Sequence, residues 1–134
     1  MRSGGVRWAA LGAVLCLAGG AFAGHDTVAP VVSLRPDYVK RLLDARETVV
    51  LVDMRKGSEY RAGHLPGAIS VPLTELDRRF TAIPRTARVV LYCECPREDI
   101  ATAFAFLTSQ GYTNHAVLED GFDGWLRRRY PIVK

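Results

Sequence analysis

Two uninterrupted apolar runs, Thr48-Val-Val-Leu-Val52 and Arg88-Val-Val-Leu-Tyr92, place the strongest constraint on how this chain folds. A strand with one wet face alternates apolar and polar residues. A β-branched run without that alternation fits a strand covered on both faces, as in a parallel sheet held between helices. The flanking segments supply the helices. Pro36 to Asp44 sets Val39, Leu42 and Leu43 on one helical face, with Ser33 or Asp37 as candidate caps. Ile100 to Gln110 carries a stripe of Ile100, Ala103, Phe104 and Leu107, and Gly111 ends it. Shorter segments read as strands or lead-ins at Val31–Leu34, Ala68–Val71 and Ala116–Leu118. Helices are expected near Ser58–Ala62, Thr74–Phe80 and Phe122–Arg129, the last stopped by Pro131. Strands alternating with helices imply an α/β fold, a central parallel β-sheet flanked by helices in three layers.

The first stretch speaks to location. Arg2 and Arg7 precede an apolar segment from Trp8 to Ala18, then Gly19-Gly20 and small residues at Ala21 and Ala23. This is the layout of a secretory signal peptide cleaved after Ala23. As an uncleaved anchor the segment falls short of the ~20 residues needed to cross a bilayer and is interrupted by glycine. A lipid anchor at Cys16 is disfavoured by bulky Leu15. The expected organisation is a signal peptide over 1–23, a linker over 24–30 and one domain over 31–134, with export to a bacterial periplasm and no stable membrane insertion after cleavage. The 111 residues that remain suffice for one hydrophobic core.

Cleavage removes two arginines and lowers the formal charge from +4 to +2. The remaining basic run, Arg127–Arg129, has no interleaved aromatics of the kind a nucleic-acid groove uses, so no nucleic-acid partner is expected. A solvated face or contact with an acidic protein partner suits it better. His25, His64 and His115 are scattered without metal-ligand spacing, and no metal or cofactor is read. Trp125 and Phe122 fall on an apolar helix face and are expected in the core.

Cysteine usage carries the chemistry. After cleavage only Cys93 and Cys95 remain, in a compartment where thiols oxidise. A bridge across one intervening residue closes too small a loop to cross-link the fold usefully, so a reactive or redox-exchanging pair is the better reading. Cys93 ends the second apolar run and stands just before a helix. That is the crevice where parallel α/β sheets bind ligands, and a helix N-terminus favours a thiolate. Cys93 is the candidate nucleophile. Glu94, Cys95, Pro96, Arg97, Glu98 and Asp99 form its loop and candidate substrate-binding segment, with Asp99 also a candidate helix cap.

Three segments, taken in order and spacing, resemble the rhodanese-like domains. They are Leu51-Val-Asp-Met-Arg55 with Glu59 to Leu73 around Gly63-His-Leu-Pro-Gly-Ala68; Val89-Val-Leu-Tyr-Cys93; and Leu118-Glu-Asp-Gly-Phe-Asp-Gly-Trp125 with Tyr130-Pro-Ile132. The resemblance spans Val31 to Val133. It implies a sulfurtransferase in which Cys93 takes a sulfane sulfur as a persulfide from a donor, thiosulfate or a persulfide, and passes it to a thiophilic acceptor. It also implies that Asp53 and Arg55 lie near the loop as supporting residues, which either orient it through an ion pair or hydrogen bonds to its backbone or form a purely structural pair. His64, in the Gly-His-Leu-Pro-Gly turn, is read as a hydrogen-bonded structural residue rather than a base.

The loop departs from the family's usual Cys-Arg-x-Gly-x-Arg. Glu94 and Glu98 stand where bases are common, and Pro96 replaces glycine and removes an N–H from the anion cradle. A helix N-terminus favours an anion by about 0.3–1 kcal/mol, near 2 when partly buried. One carboxylate about 6 Å away, at an effective dielectric near 20, opposes it by roughly 2–3 kcal/mol. Weak thiosulfate turnover follows, unless both glutamates face solvent and Arg97 turns in. A phosphatase or arsenate-reductase loop of the form Cys-x5-Arg is disfavoured because Asp99 stands at the arginine position. Two readings stand for Cys95: a thiol that resolves a Cys93 persulfide, or a small apolar filler. Besides sulfur transfer, a non-catalytic binding module and a thiol–disulfide redox protein using Cys93 and Cys95 remain open.

Overall fold

The computed structural model describes residues 30–134; the expected signal peptide, residues 1–23, and the linker up to residue 29 lie outside the described residues. Five strands, β1 (Ser33–Leu34), β2 (Val49–Asp53), β3 (Ile69–Ser70), β4 (Arg88–Tyr92) and β5 (His115–Leu118), form one sheet in the order β1-β5-β4-β2-β3. Every pairing is parallel, with Val49 opposite Arg88, Asp53 opposite Tyr92 and Val89 opposite His115. The helices are α1 (Pro36–Asp44), α2 (Gly57–Ala62), α3 (Leu76–Arg79), α4 (Arg97–Ser109) and α5 (Gly121–Arg127). Among the described residues no helix is long and apolar enough to cross a membrane.

The unalternating runs are buried on both faces. Leu51, Val90, Tyr92 and Leu118 pack on Val39 of α1 and on Phe122 and Trp125 of α5. Val52, Val89, Leu91 and Val117 pack on Leu76 of α3 and on Ile100, Ala103, Phe104 and Leu107 of α4. The result is three layers around the central sheet. Its consequence for function is geometric: with all strands parallel, the loops after β4 and β5 emerge side by side at one end.

Several boundaries differ from those expected, each for a local reason. Neither Ser33 nor Asp37 caps α1. Ser33 lies in β1, Arg35 is the N-cap without a side-chain bond, and Pro36 at the first helical position loses nothing by lacking an N–H. Asp99 is not the cap of α4 either: Pro96, with extended backbone, starts the helix earlier, and its carbonyl accepts the Asp99 N–H at 3.0 Å. The segment around Thr74–Phe80 divides into a 3-10 turn at Leu73–Glu75, α3, and a second 3-10 turn at Phe80–Ala82. The last helix ends at Arg127, ahead of Arg129 at φ 54°. Gly111 closes α4 as expected, with φ 86° and the following Tyr112 N–H returning to the Leu107 carbonyl at 3.0 Å.

Candidate active site at the Cys93–Cys95 loop

Cys93 follows the last residue of β4, and the loop is short because α4 begins at Arg97. Cys93 and Cys95 are joined by a disulfide, their Cα atoms 5.4 Å apart. Both are half-buried and line a cleft of about 760 Å³. Val117 and Leu118 of β5, Ile100 and Ala101 of α4, and Val31 and Ser33 at the sheet edge make up its apolar side. The turn joining β5 to α5 makes the other wall.

Of the loop residues expected at the site, Glu94, Cys95, Pro96 and Arg97 line the cleft. Glu98 and Asp99 do not; they are exposed in the first turn of α4. Glu94 neither faces solvent freely nor sits against a base. One of its carboxylate oxygens, Oε1, accepts the Asp123 N–H at 2.7 Å, tying the cysteine loop to the first turn of α5. The residue is exposed as a whole, yet desolvation of the carboxyl against α5, with the Asp123 carboxylate nearby, holds its pKa above the ordinary glutamate value.

Three residues of the cleft were not anticipated as site residues: Glu119, Asp120 and Asp123. With Glu94 they bring four acidic residues to the lining of the cleft, alongside Arg97 and Arg127. Arg127 is partly neutralised, 3.6 Å from Asp120. A signal for them existed in the sequence, since Glu119-Asp-Gly-Phe-Asp123 follows β5 as the cysteine loop follows β4, and neighbouring parallel strands share one crevice. Gly121 is a further member. A Cβ on it would overlap the Cys93 carbonyl oxygen, so the cysteine backbone packs directly on the start of α5.

Asp53 and Arg55 lie beneath the loop and outside the cleft lining. Asp53 is wholly buried and Arg55 nearly so. Arg55 Nη2 meets Asp53 Oδ2 at 2.6 Å and also donates to the Gly63 carbonyl at 2.7 Å. The hydroxyl of Tyr92, the residue before Cys93, donates to Asp53 Oδ2 at 2.8 Å and accepts the Leu65 N–H. Burial pushes the Tyr92 pKa well up, so the phenol stays protonated and keeps that bond. The Arg55 guanidinium lies 3.6 Å from the centre of the Phe122 ring of α5. The end of β4 is thereby fixed from β2 on one side and from α5 on the other.

His64 is hydrogen-bonded to the Tyr60 carbonyl through Nδ1 at 2.9 Å and stacks on the Tyr60 ring. It is outside the cleft. Arg128 is not simply a solvated charge: its Nε donates to Asp37 at 3.0 Å and its Nη1 to the Gly124 carbonyl at 2.9 Å.

The fold is found in known proteins. The family model described as rhodanese-like domain matches residues 35–128. A sulfurtransferase of Allochromatium vinosum is 36% identical over 94 residues, covering 70% of this chain and 86% of that protein. An HTH-type transcriptional regulator of Mycobacterium tuberculosis is 42% identical over 108 residues, covering 78% of this chain but 48% of the regulator, so the chain spans about half of it. Among solved structures, a rhodanese-related protein of Thermoplasma volcanium shares the fold with a TM-score of 0.66 at 24% identity, covering 76% of this chain and 97% of that one. The chain belongs to the rhodanese-like domain family.

Proposed function

We propose that the protein couples sulfane-sulfur transfer to a dithiol–disulfide cycle between Cys93 and Cys95. The observation that carries this reading is the pairing of the two cysteines in the cleft at the end of β4. The sulfurtransferase of Allochromatium vinosum, similar over most of its length, supports a sulfur-transfer function. In the reduced protein the Cys93 thiolate attacks the outer sulfur of a persulfide, R–S–SH. The R–S bond partner leaves as R–S⁻, and Cys93 holds the sulfane sulfur as Cys93–S–SH. Cys95 thiolate then attacks the inner sulfur, the Cys93–Cys95 disulfide forms, and sulfide leaves with the proton balance closed by HS⁻. Two equivalents of a thiol restore the dithiol and become a disulfide themselves. A thiophilic acceptor competing with Cys95 takes the sulfur instead, which is plain sulfurtransferase turnover.

Cys93 is assigned the accepting role because its backbone is anchored between Tyr92 and Gly121, while Cys95 sits in the turn. Thiosulfate is a poor donor in this reading, since a small dianion meets four carboxylates in the cleft. The leader-like first 23 residues support export, and a mature protein starting at Gly24 is expected.

Intact mass spectrometry tests the cycle. Reduced protein given a persulfide donor should show a short-lived gain of about 32 Da followed by a loss of about 2 Da relative to the dithiol. In Cys95→Ser the gain should persist. A protein with free thiols confirmed that shows neither change would instead be a binding module with a rhodanese fold.

A further inference from the structure

We propose that the cleft takes a cysteine pair carried on a basic, extended peptide segment of a protein partner, and that this dithiol reduces the Cys93–Cys95 disulfide. The proposal rests on the cycle above and names its reductant class. Two independent features of the cleft lead to it.

The first is charge. Glu94, Glu119, Asp120 and Asp123 line the cleft together with Arg97 and Arg127, and Asp120 already has Arg127 at 3.6 Å and Arg128 at 3.8 Å. Glu119 and Asp123 are exposed and have no ion-pair partner among the described residues. A thiolate approaching this disulfide therefore enters a negative field unless its own carrier is positive. Steering of this kind changes association rates by factors of 10 to 1,000 and fades with salt.

The second is the open sheet edge on the opposite side of the cleft. β1 is the terminal strand of the sheet and pairs only with β5 among the described residues. The carbonyls of Val32 and Leu34 accept the N–H groups of Val117 in β5 and of Glu119 just after it, at 2.8 and 2.9 Å. Backbone groups of alternate residues in a strand point to opposite edges, so those of Ser33 face outward, and Ser33 lines the cleft. Val31, 36% exposed, lies beside it. An extended segment can pair with that edge, cover Val31, and hold basic side chains over Glu119 and Asp123. A small aminothiol satisfies the charge but leaves the edge unused.

The reaction balances without another oxidant or reductant. A partner thiolate attacks one sulfur of the pair, forming a mixed disulfide and breaking the Cys93–Cys95 bond. A second thiol of the partner attacks that mixed disulfide and leaves as part of the oxidised partner, and its two protons end on Cys93 and Cys95.

The test measures the rate of reduction of the oxidised protein by matched dithiol peptides that are lysine-flanked, glutamate-flanked or uncharged, with cysteamine as a small cationic control. The lysine-flanked peptide is expected to act at least about tenfold faster than the glutamate-flanked one at low salt, with the ratio collapsing near 0.5 M salt. It should also outpace cysteamine at equal thiol concentration and thiol pKa. In Glu119→Gln/Asp123→Asn the ratio between the charged peptides should fall toward one. Equal rates for the charged peptides, or a ratio unmoved by salt and by the double variant, overturn the proposal. Cysteamine matching the basic peptide overturns its peptide part. If dithiothreitol opens the disulfide and the persulfide cycle runs while no peptide reduces it, the proposal falls and the cycle stands. If the reduced protein neither takes up sulfur nor re-forms the disulfide, the cycle fails and takes the proposal with it.

Discussion

Replacing Gly121 by alanine sets a methyl group against the Cys93 carbonyl oxygen and asks a residue with a side chain to hold φ 54°. The left-handed backbone alone costs roughly 1–2 kcal/mol, and relieving the overlap adds roughly 1–3. Gly67, with φ 76° and open space where its Cβ would be, carries the first cost without the second. Gly121→Ala is expected to lose more urea stability than Gly67→Ala by at least about 1 kcal/mol, and to slow persulfide loading on Cys93, which Gly67→Ala leaves intact. Equal losses would show that the contact with Cys93 is relaxed at no cost. Cys93 itself was legible from the sequence because a thiol closing an unalternating apolar run has only one end of a parallel sheet to occupy. Gly121, Glu119 and Asp123 were not, because their place beside the sulfurs depends on β5 lying next to β4, and pairing order is a long-range fact that local spacing does not encode.

At the scale of elements, the sheet strands and α1 were readable because their apolar spacing and length agree with burial on two faces or one. The caps were not: Pro96 starts α4 ahead of Asp99, and Asp37 resembles an N-cap only while its tertiary partners are ignored. Asp37 is drawn away from the start of α1 by Arg128 Nε at 3.0 Å and by the Tyr130 hydroxyl at 2.7 Å, which clasp the C-terminal segment onto the first helix. The Tyr130 bond, with Arg128, holds its pKa below the ordinary aspartate value. A lowered carboxyl pKa means the unfolded chain binds more protons in the window between the folded value and about 3.9. The clasp's contribution is therefore whole above that window and declines as pH falls through it. Asp37→Asn should be less stable than the unaltered protein at pH 6, with the gap narrowing below about pH 3.9. Urea midpoints of both proteins at pH 6 and pH 3 read this directly, and a gap that stays constant would remove Asp37 as the proton-linked partner.

The molecule as a whole holds its cysteine loop through one buried polar network crossing from β2 to β4 and out to α5. Asp53 collects Arg55, the Arg55 N–H and the Tyr92 hydroxyl in a region where its side chain is 0% exposed and that of Arg55 5%. Partners of such a pair cannot be removed singly without stranding a charge, whereas removing both together leaves a neutral if imperfectly filled site. Arg55→Met is expected to cost about 3–5 kcal/mol, because Asp53 keeps only neutral donors. Asp53→Asn/Arg55→Met should cost less than the sum of the single changes by at least about 1 kcal/mol. Tyr92→Phe, which removes a donor to Asp53 and the acceptor of the buried Leu65 N–H but leaves the ion pair, should cost about 1–3 kcal/mol. The same three variants separate stability from chemistry. If the network's task is to fix the end of β4, the rate at which Cys95 closes on a Cys93 persulfide should drop in Tyr92→Phe even where the protein remains fully folded. Urea titration supplies the energies and rapid-quench mass analysis the closure rate. Unchanged closure in folded Tyr92→Phe would confine the network to holding the layers together, leaving Gly121 and the Glu94 bond to Asp123 as the contacts that set the loop.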